Sequence, residues 1–386
     1  MKDVGRKIKH RSSLPSHIMA SPRTILSSMA ALAVAPLASS FPHMIRSDVS
    51  SPVNASLPNV TIFATGGTIA SQGGSNTQTI GYSVGLGVEA LIDAVPEILN
   101  ISNINGYQVS NVDSGSVNAS ILLDLASQVN TELAKSETDG VVITHGTDTL
   151  EETCFFLDLV VNSSKPVVCA GAMRPATALS ADGPLNLLQA VTLASSPNAR
   201  DRGAMIVLND RIGSAFYTTK NNANTLDTFS STEMGQLGTL INQVPYFYFS
   251  PAQPMGKTHF KLGNATDLPQ VDVIYAYQDM DPQMFESAVI AGAEGIVWAG
   301  LGSGGISTDA EEAASSVYNA TGIPFVASHR SADGFVPPGS QDFVIAGGFY
   351  NPQKARILLQ LAINEGYDNE KIKDVFAMSY PSPGSY

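Results

Sequence analysis

The segment Asn59–Ser71 constrains the fold more than any other part of the chain. Within it, Val60–Ala64 is largely apolar and rich in β-branched residues, without alternation of polar and apolar positions. Such a run is typical of a strand buried on both faces of a parallel sheet. Two glycines follow and allow a sharp turn and a close approach of a ligand to the backbone. We therefore expect Thr68 at the carboxyl end of a strand, where open α/β folds bind their ligands.

These residues alone leave the role of Thr68 open. A buried strand followed by a glycine-rich turn more often holds a phosphate, and Thr68 could simply cap a helix. The G-x-G-x-x-G pattern of dinucleotide-binding folds is missing from this turn. The glycine-rich stretch that comes next contains Tyr82 and is a candidate mobile lid over the site.

Strands and helices alternate along the rest of the chain, which predicts an α/β fold with parallel sheets. Two domains are the natural expectation for 386 residues. Apolar strands are predicted at 140–143, 166–170, 204–208, 271–277, 295–299 and 323–327, and helices near 88–95, 118–135, 282–292, 308–320 and 353–365. The expected organisation is a leader at 1–56, a larger N-terminal domain with a parallel or mixed sheet at 57–242, a linker at 243–267 and a smaller parallel C-terminal α/β domain at 268–386.

The first 56 residues are expected to contain a secretory signal at about 19–40. A short basic start is followed there by an apolar run from Thr24 to Leu37 and by small residues, which is the order found in signal peptides. A disordered leader with a chance apolar patch is the alternative. Secretion agrees with seven N-x-S/T sequons, at Asn54, Asn59, Asn100, Asn118, Asn162, Asn264 and Asn319.

Charge and cysteine content restrict the partners. The net charge of −13 would repel nucleic acid and anionic membranes, so a small-molecule substrate is expected. Cys154 and Cys169 lie in apolar segments, and two buried free thiols are favoured over a disulfide. The six histidines show no metal-ligand spacing, so neither a metal nor another cofactor is expected.

A second strand end supplies the groups that amide hydrolysis requires. That reaction needs a nucleophile, a proton acceptor and donors for the developing oxyanion. The predicted strand at 140–143 ends in a turn that carries Thr147 and Asp148, and glycines flank both threonines. Lys220 is available to polarise a Thr–Asp pair. The sequence thus offers Thr68 near Tyr82, and Thr147 beside Asp148, as two reactive centres.

Two long motifs in this order resemble the L-asparaginase family. ATGGTIA at 64–70 and ITHGTDTLEET at 143–153 match the two signature motifs of that family, and GAMRP at 171–175, SADGP at 180–184 and NPQKAR at 351–356 are similar to it as well. The likeness covers about residues 57–366 and is greatest to the secreted type II bacterial and fungal enzymes. It implies hydrolysis of L-asparagine to L-aspartate and ammonia without a cofactor, in a homotetramer built as a dimer of dimers.

The resemblance also implies roles for individual residues. Thr68 would be the acylated nucleophile, helped by Tyr82 on the lid. Thr147, Asp148 and Lys220 would form a second group that positions water or completes activation of the nucleophile. In the substrate pocket, Ser114 would bind the α-carboxylate, Asp148 the α-ammonium group and the Ala172 carbonyl the leaving amide. His145, Glu151 and Glu152 belong to the second motif but are expected to be structural.

The chain departs from the family pattern at the substrate pocket. Gly115 stands where many members carry a Gln after the carboxylate-binding Ser. In the tetrameric bacterial enzymes a neighbouring subunit supplies an Asn and a Glu, and the corresponding stretches here are Gly302–Gly305 and Ser331–Phe343, the latter without a Glu. Ser303, Asp333 or Asp342 could substitute. A minor glutaminase activity, a different amide substrate, or a binding protein without turnover are the alternatives.

Overall fold

The computed structural model describes residues 49–339 and 341–380, and these belong to one compact unit. The signal peptide expected at about 19–40 lies outside the described residues. None of the described helices is long and apolar enough to cross a membrane.

A nine-stranded sheet forms the N-terminal part, in the order β1-β5-β2-β6-β7-β8-β9-β12-β13. Pairing is parallel from β5 through β8 and antiparallel at both edges. Two short antiparallel pairs, β3–β4 and β10–β11, stand apart from it. The strands are β1 (Val49–Ser50), β2 (Asn59–Gly66), β3 (Ser71–Gln72), β4 (Ser83–Val84), β5 (Asn103–Val112), β6 (Gly140–Thr144), β7 (Val167–Ala170), β8 (Ala204–Leu208), β9 (Arg211–Ser214), β10 (Thr219–Lys220), β11 (Phe229–Ser230), β12 (Gly238–Ile241) and β13 (Val244–Phe247).

Four helices cover the two faces of this sheet. They are α1 (Val88–Asp93), α2 (Ala119–Leu133), α3 (Leu150–Val160) and α4 (Gly183–Ala194). The first and last of them pack in one apolar core, and the other two in a second core on the opposite face. Because the central strands are covered on both sides, β2 and β6 are buried along most of their length. The prediction of a doubly covered parallel strand after Asn59 is confirmed.

The C-terminal part is a smaller sheet of four parallel strands in sequential order. Its elements are β14 (Val271–Tyr275), α5 (Met284–Ile290), β15 (Gly295–Gly300), α6 (Thr308–Thr321), β16 (Phe325–His329), β17 (Val344–Ala346), α7 (Pro352–Asn364) and α8 (Asn369–Ala377). Side chains of α7 and α8 share one apolar core with α2 and α3. The two sheets are therefore joined through a common hydrophobic layer. The expected fold class, a large mixed-sheet domain and a smaller parallel α/β domain, is confirmed.

Several features differ from the sequence expectations. The strand β5, which pairs with β2 and precedes Ser114, was not predicted. Cys154 on α3 and Cys169 on β7 form a disulfide, with Cα atoms 6.1 Å apart, so the expectation of two free thiols is wrong. Each cysteine is buried, as expected, but α3 packs over β7 and brings the two sulfurs together. The larger sheet also extends through β13 into the segment at 243–267. The rest of that segment is anchored by Phe260, whose N–H donates to the Leu159 carbonyl at 2.9 Å.

Candidate active site

Five of the seven expected site residues follow four neighbouring strands of the larger sheet. From β2 the chain passes to β5 on one side and then to β6 on the other, and such a reversal opens a crevice at the carboxyl ends of the strands. Thr68 follows β2, Ser114 follows β5, Thr147 and Asp148 follow β6, and Ala172 follows β7. One edge of the sheet thus brings together residues that are up to 104 positions apart in the sequence.

Glycine is required where the β2 and β6 turns meet. Gly66 and Gly67 have φ angles of 105° and 80°, which L side chains rarely adopt. A Cβ on Gly67 would lie 2.1 Å from the Gly146 Cα. The Gly67 N–H donates to the Val112 carbonyl at 2.9 Å and ties the turn to β5. The two glycine-containing turns therefore pack backbone against backbone, one residue before each reactive threonine.

Thr68 is paired with Tyr82 from the lid. The Thr68 Oγ1 and the Tyr82 hydroxyl are 3.0 Å apart, and both residues are half-buried. Tyr82 is placed there because β3 and β4 pair just after Thr68. The lid is fixed near its base, since the Gly73 N–H donates to the Thr177 hydroxyl at 2.8 Å. A phenol at this distance can exchange a proton with the threonine hydroxyl.

Thr147, Asp148 and Lys220 form a second contact group. The Lys220 ammonium donates to Thr147 Oγ1 at 2.9 Å and to Asp148 Oδ1 at 2.6 Å. Thr147 is buried, whereas the Asp148 side chain is 79% exposed. Lys220 comes from β10, outside the four strand ends, and its backbone N–H donates to Glu151 Oε2 at 3.0 Å. Glu151, on the first turn of α3, thus holds the backbone from which Lys220 reaches the threonine.

The two groups face one cavity of about 480 Å³, a volume typical of small-molecule sites. Thr68, Tyr82, Thr147, Asp148 and Lys220 all line it. The sequence prediction brought these five residues together, and the structure does the same. The lining also includes seven residues without an expected contact to substrate: Thr79, Ile80, Gly81, Met173, Arg174, Ala223 and Asn224.

Ser114 and Ala172 lie behind this cavity rather than on its wall. Ser114 is buried against Gly146, since a Cβ on that glycine would come within 2.8 Å of the Ser114 side chain. The Ser114 carbonyl accepts a hydrogen bond from the Thr149 hydroxyl at 2.9 Å. Ala172 is fully buried next to Met173. Ala172 therefore borders the site through Met173, whereas Ser114 and Gly115 line a different cavity.

Burial shifts the pKa values of two titratable groups of the second motif, His145 and Glu152. Burial lowers the pKa of His145 to about 4, so its ring is neutral near pH 7. Because the Gly146 carbonyl can only accept, His145 Nδ1 carries the proton at 2.8 Å from it, and Nε2 accepts from the Thr153 hydroxyl at 2.9 Å. Desolvation raises the pKa of Glu152 to about 7. His145 therefore braces the β6 turn as a neutral group.

Arg174 anchors the loop after β7. Its guanidinium donates to the Ser180 carbonyl at 2.8 Å, and its backbone N–H donates to Asp182 Oδ1 at 2.9 Å.

No cluster of three or more His, Cys, Asp or Glu side chains that could hold a metal ion occurs within residues 49–339 and 341–380.

Sequence reasoning did not identify the C-terminal residues that support this site. Gln353 donates to Glu151 Oε1, and the Lys354 ammonium donates to the Thr218 carbonyl at 2.6 Å. Both residues lie in the NPQKAR segment, which resembled the family without an assigned role. That resemblance was the only available signal, because the contact joins residues more than 130 positions apart.

Known proteins are similar to this chain along most of its length. The family model described as "Asparaginase, N-terminal" matches residues 59–253, and "Glutaminase/Asparaginase C-terminal domain" matches residues 270–376. A protein of Schizosaccharomyces pombe named "Probable L-asparaginase 1" is 50% identical over 331 residues, which is 85% of this chain and 91% of that protein. "L-asparaginase 2" of Bacillus subtilis is 48% identical over 335 residues, 86% of this chain and 89% of that protein.

A solved structure has the same fold. It is titled a probable cytoplasmic L-asparaginase from Campylobacter jejuni, and it superposes with a TM-score of 0.80 at 38% identity. The match covers 83% of this chain and 99% of the other. These similarities, and the threonines that follow β2 and β6 and line one cavity, establish that the chain belongs to the asparaginase family.

Proposed function

We propose that this protein hydrolyses L-asparagine to L-aspartate and ammonia through a threonyl ester on Thr68. The observation that carries the proposal is the joint placement of the Thr68–Tyr82 pair and the Thr147–Lys220–Asp148 group on one cavity. A hydroxyl nucleophile with a proton acceptor at 3.0 Å is what covalent amide hydrolysis requires. The names of the relatives agree with this substrate.

The reaction divides into two displacements at the same carbonyl carbon. Thr68 Oγ1 attacks the side-chain amide carbon while its proton passes through the Tyr82 hydroxyl to the amide nitrogen. Collapse of the tetrahedral adduct then breaks the C–N bond, releases ammonia and leaves the acyl group on Thr68 as an ester. Water held near Thr147 then attacks the ester and releases aspartate, and Thr68 regains its proton. Lys220 keeps Thr147 and Asp148 polarised throughout, because its ammonium contacts both.

Substrate recognition in the proposal uses the polar groups around the cavity. Asp148 would hold the α-ammonium group, since Lys220 engages Oδ1 and the carboxylate is largely exposed. Ser114 would bind the α-carboxylate, and the Ala172 carbonyl would contact the leaving amide. Gly115 leaves room beside Ser114, because a Cβ there would meet nothing within 4 Å. A minor activity on the longer substrate glutamine is part of the proposal, because the family model that matches residues 270–376 is described for glutaminases and asparaginases together.

The proposal extends to assembly as a homotetramer. Asp148 is a site residue with a 79% exposed side chain, which is expected where a second copy covers the site. Gly302–Gly305 and the residues around Asp333 would supply the covering contacts. Light scattering coupled to gel filtration would measure the mass of the assembly. If inactive variants with a substitution in the site regain activity when mixed with inactive variants altered in these covering segments, the site is shared between subunits.

Secretion and glycosylation are proposed from the leader and the sequons. Of the seven sequon asparagines, Asn59 is half-buried with Nδ2 donating to the Glu137 carbonyl at 2.7 Å, whereas the others are exposed: Asn54, Asn100, Asn118, Asn162, Asn264 and Asn319. Six accessible acceptors fit a secreted glycoprotein. A loss of mass on treatment with an N-glycosidase, for protein collected from culture medium, would support both points.

Ammonia release from L-asparagine and L-glutamine by wild type and Thr68→Ala tests the central claim. Turnover of asparagine that collapses in a folded Thr68→Ala variant supports the activity and its nucleophile. Rates on small amidated peptides separate asparagine hydrolysis from action on another amide. A folded and assembled wild type that binds asparagine without releasing ammonia would instead be a binding protein.

A further inference from the structure

The amino end of α7 belongs to the C-terminal domain. It forms hydrogen bonds with the segment of the N-terminal domain that precedes Lys220. The Lys354 ammonium donates to the Phe216 carbonyl at 3.2 Å and to the Thr218 carbonyl at 2.6 Å. Asn351 Nδ2 donates to the Thr219 hydroxyl at 3.1 Å. Asn351 also accepts the Lys354 N–H at 3.0 Å and so caps α7. The residues that precede Lys220 are therefore held by one helical turn from the other domain.

The same helical turn reaches Lys220 itself through Glu151. Gln353 Nε2 donates to Glu151 Oε1, and Glu151 Oε2 accepts the backbone N–H of Lys220 at 3.0 Å. Glu151 is buried, with 4% of its surface exposed, so its geometry is fixed by these two bonds. Three consecutive residues are thus connected to the amino end of α7. Residues 218 and 219 are contacted directly, and Lys220 is connected through Glu151.

A buried lysine at position 354 is not explained by its contribution to folding stability alone. It is 2% exposed, and its ammonium contacts two neutral carbonyls and lies 5.8 Å from the centroid of the Phe155 ring. No ion pair involving Lys354 occurs among the described residues. Desolvation lowers its pKa to about 8, against the attraction of nearby Glu151, Asp158 and Glu152. Burying a charge without a direct counter-charge is costly, and an apolar residue of similar volume often stabilises such a site.

We propose that Lys354, with Asn351 and Gln353, is a positioning residue for Lys220. It fixes the backbone from which the Lys220 ammonium spans Thr147 and Asp148. This inference rests on the proposed role of Lys220 in the reaction. Displacement of a catalytic group by about 1 Å can cost roughly 100-fold in rate, so the loss of two backbone anchors should reach the chemistry, although Lys354 touches neither the cavity nor its reactive groups.

A double-mutant cycle separates positioning from a general structural effect. Lys354→Met keeps the volume of the side chain and removes its donors. We expect it to lower kcat for asparagine about 10-fold to 100-fold in the wild-type background. In a Lys220→Met background the same change should cost less than about twofold, because the group it positions is already gone.

Gln360→Met is the matched control. Gln360 lies on the same helix, is buried, and donates to a backbone carbonyl, that of Pro269 at 2.7 Å, outside the Lys220 segment. It removes a comparable hydrogen bond, so we expect a lower melting temperature with kcat within about twofold of wild type. If Lys354→Met does not fold, Gln353→Met in the same cycle carries the test, with the same expected pattern.

Three results would overturn the inference. An unchanged kcat in the folded single variant would show that the contacts do not reach the site. Losses that multiply in the double variant would show that Lys354 acts independently of Lys220. Full activity of Lys220→Met would remove the proposed role of Lys220 and the positioning role together, whereas a failure of positioning alone leaves Lys220→Met impaired.

Discussion

Gly67 and Gly146 are in backbone contact, so that a methyl group on Gly67 would lie 2.2 Å from the Gly146 nitrogen. Each of these glycines directly precedes a threonine that is a candidate catalytic residue, Thr68 or Thr147. The spacing between Thr68 and Thr147 is therefore set by two residues that lack side chains. This relationship links the glycine pattern in the sequence to the geometry of the candidate active site.

The first prediction concerns that contact. We expect Gly146→Ala to lower kcat at least 10-fold, because its Cβ would meet the Ser114 side chain at 2.8 Å and the Gly67 Cα at 3.0 Å, and misplacing reacting groups by about 1 Å is costly. Gly115→Ala is the control, since its Cβ would meet nothing within 4 Å. Equal asparaginase rates for the two variants would contradict the prediction.

A second prediction concerns the lid. Tyr82→Phe removes the hydroxyl that lies 3.0 Å from Thr68 Oγ1 and keeps the ring. We expect kcat to fall by roughly 100-fold or more, the usual range for losing a proton-transfer partner, with a much smaller change in KM. Steady-state ammonia release provides both constants. Tyr246→Phe, on the exposed edge strand, should behave as wild type, and a Tyr82→Phe enzyme at full rate would exclude the hydroxyl from the reaction.

The buried strands β2, β6, β7 and β8 could be predicted because local apolar runs carry them, but β5 and the order of the strands in the sheet could not. The grouping of Thr68, Tyr82, Thr147, Asp148 and Lys220 came from the motifs. An apolar run without alternation defines β2 and β6, and glycines mark the turns after them. The edge strand β13 could not be predicted in this way. Its alternation is weak because both faces are partly exposed, and it contains Pro245, which edge strands tolerate.

Contacts between distant elements were also beyond sequence reasoning. Burial of Cys154 and Cys169 follows from their apolar neighbours, but their pairing depends on how α3 crosses β7. The link from Gln353 to Glu151 spans 202 positions, and no periodicity or spacing reports a contact of that length. Local chemistry was thus accessible from the sequence, whereas the support that one domain gives to the other was not.

The third prediction concerns the disulfide. Cys154 and Cys169 are 15 residues apart. Closing a loop of that length lowers the entropy of the unfolded chain, which raises the free energy of the unfolded state by about 3 kcal/mol at 25 °C. We expect Cys154→Ala/Cys169→Ala to lose about that much free energy of unfolding in urea. The variant should be insensitive to reductant, whereas wild type should lose stability when reduced. Two free thiols titrated in denatured, unreduced wild type would show that the bond is not formed.

The last prediction concerns the pH dependence of stability at Glu152, whose pKa is raised to about 7 by desolvation. A folded-state pKa above the unfolded value of 4.5 means that the folded protein binds the proton more tightly. The stabilisation is fully present below pH 4.5 and is lost as pH rises to about 7.

Glu152→Gln stays neutral at every pH and should avoid that loss. The difference in melting temperature between Glu152→Gln and wild type should therefore increase from pH 5 to pH 8. The corresponding difference in the free energy of unfolding should be at most about 3 kcal/mol. Glu286→Gln, on the exposed face of α5, is the control and should track wild type. A Glu152→Gln curve parallel to wild type across this range would mean that the carboxylate is already compensated, with Arg356, whose charge lowers the pKa of Glu152, as the source of the counter-charge.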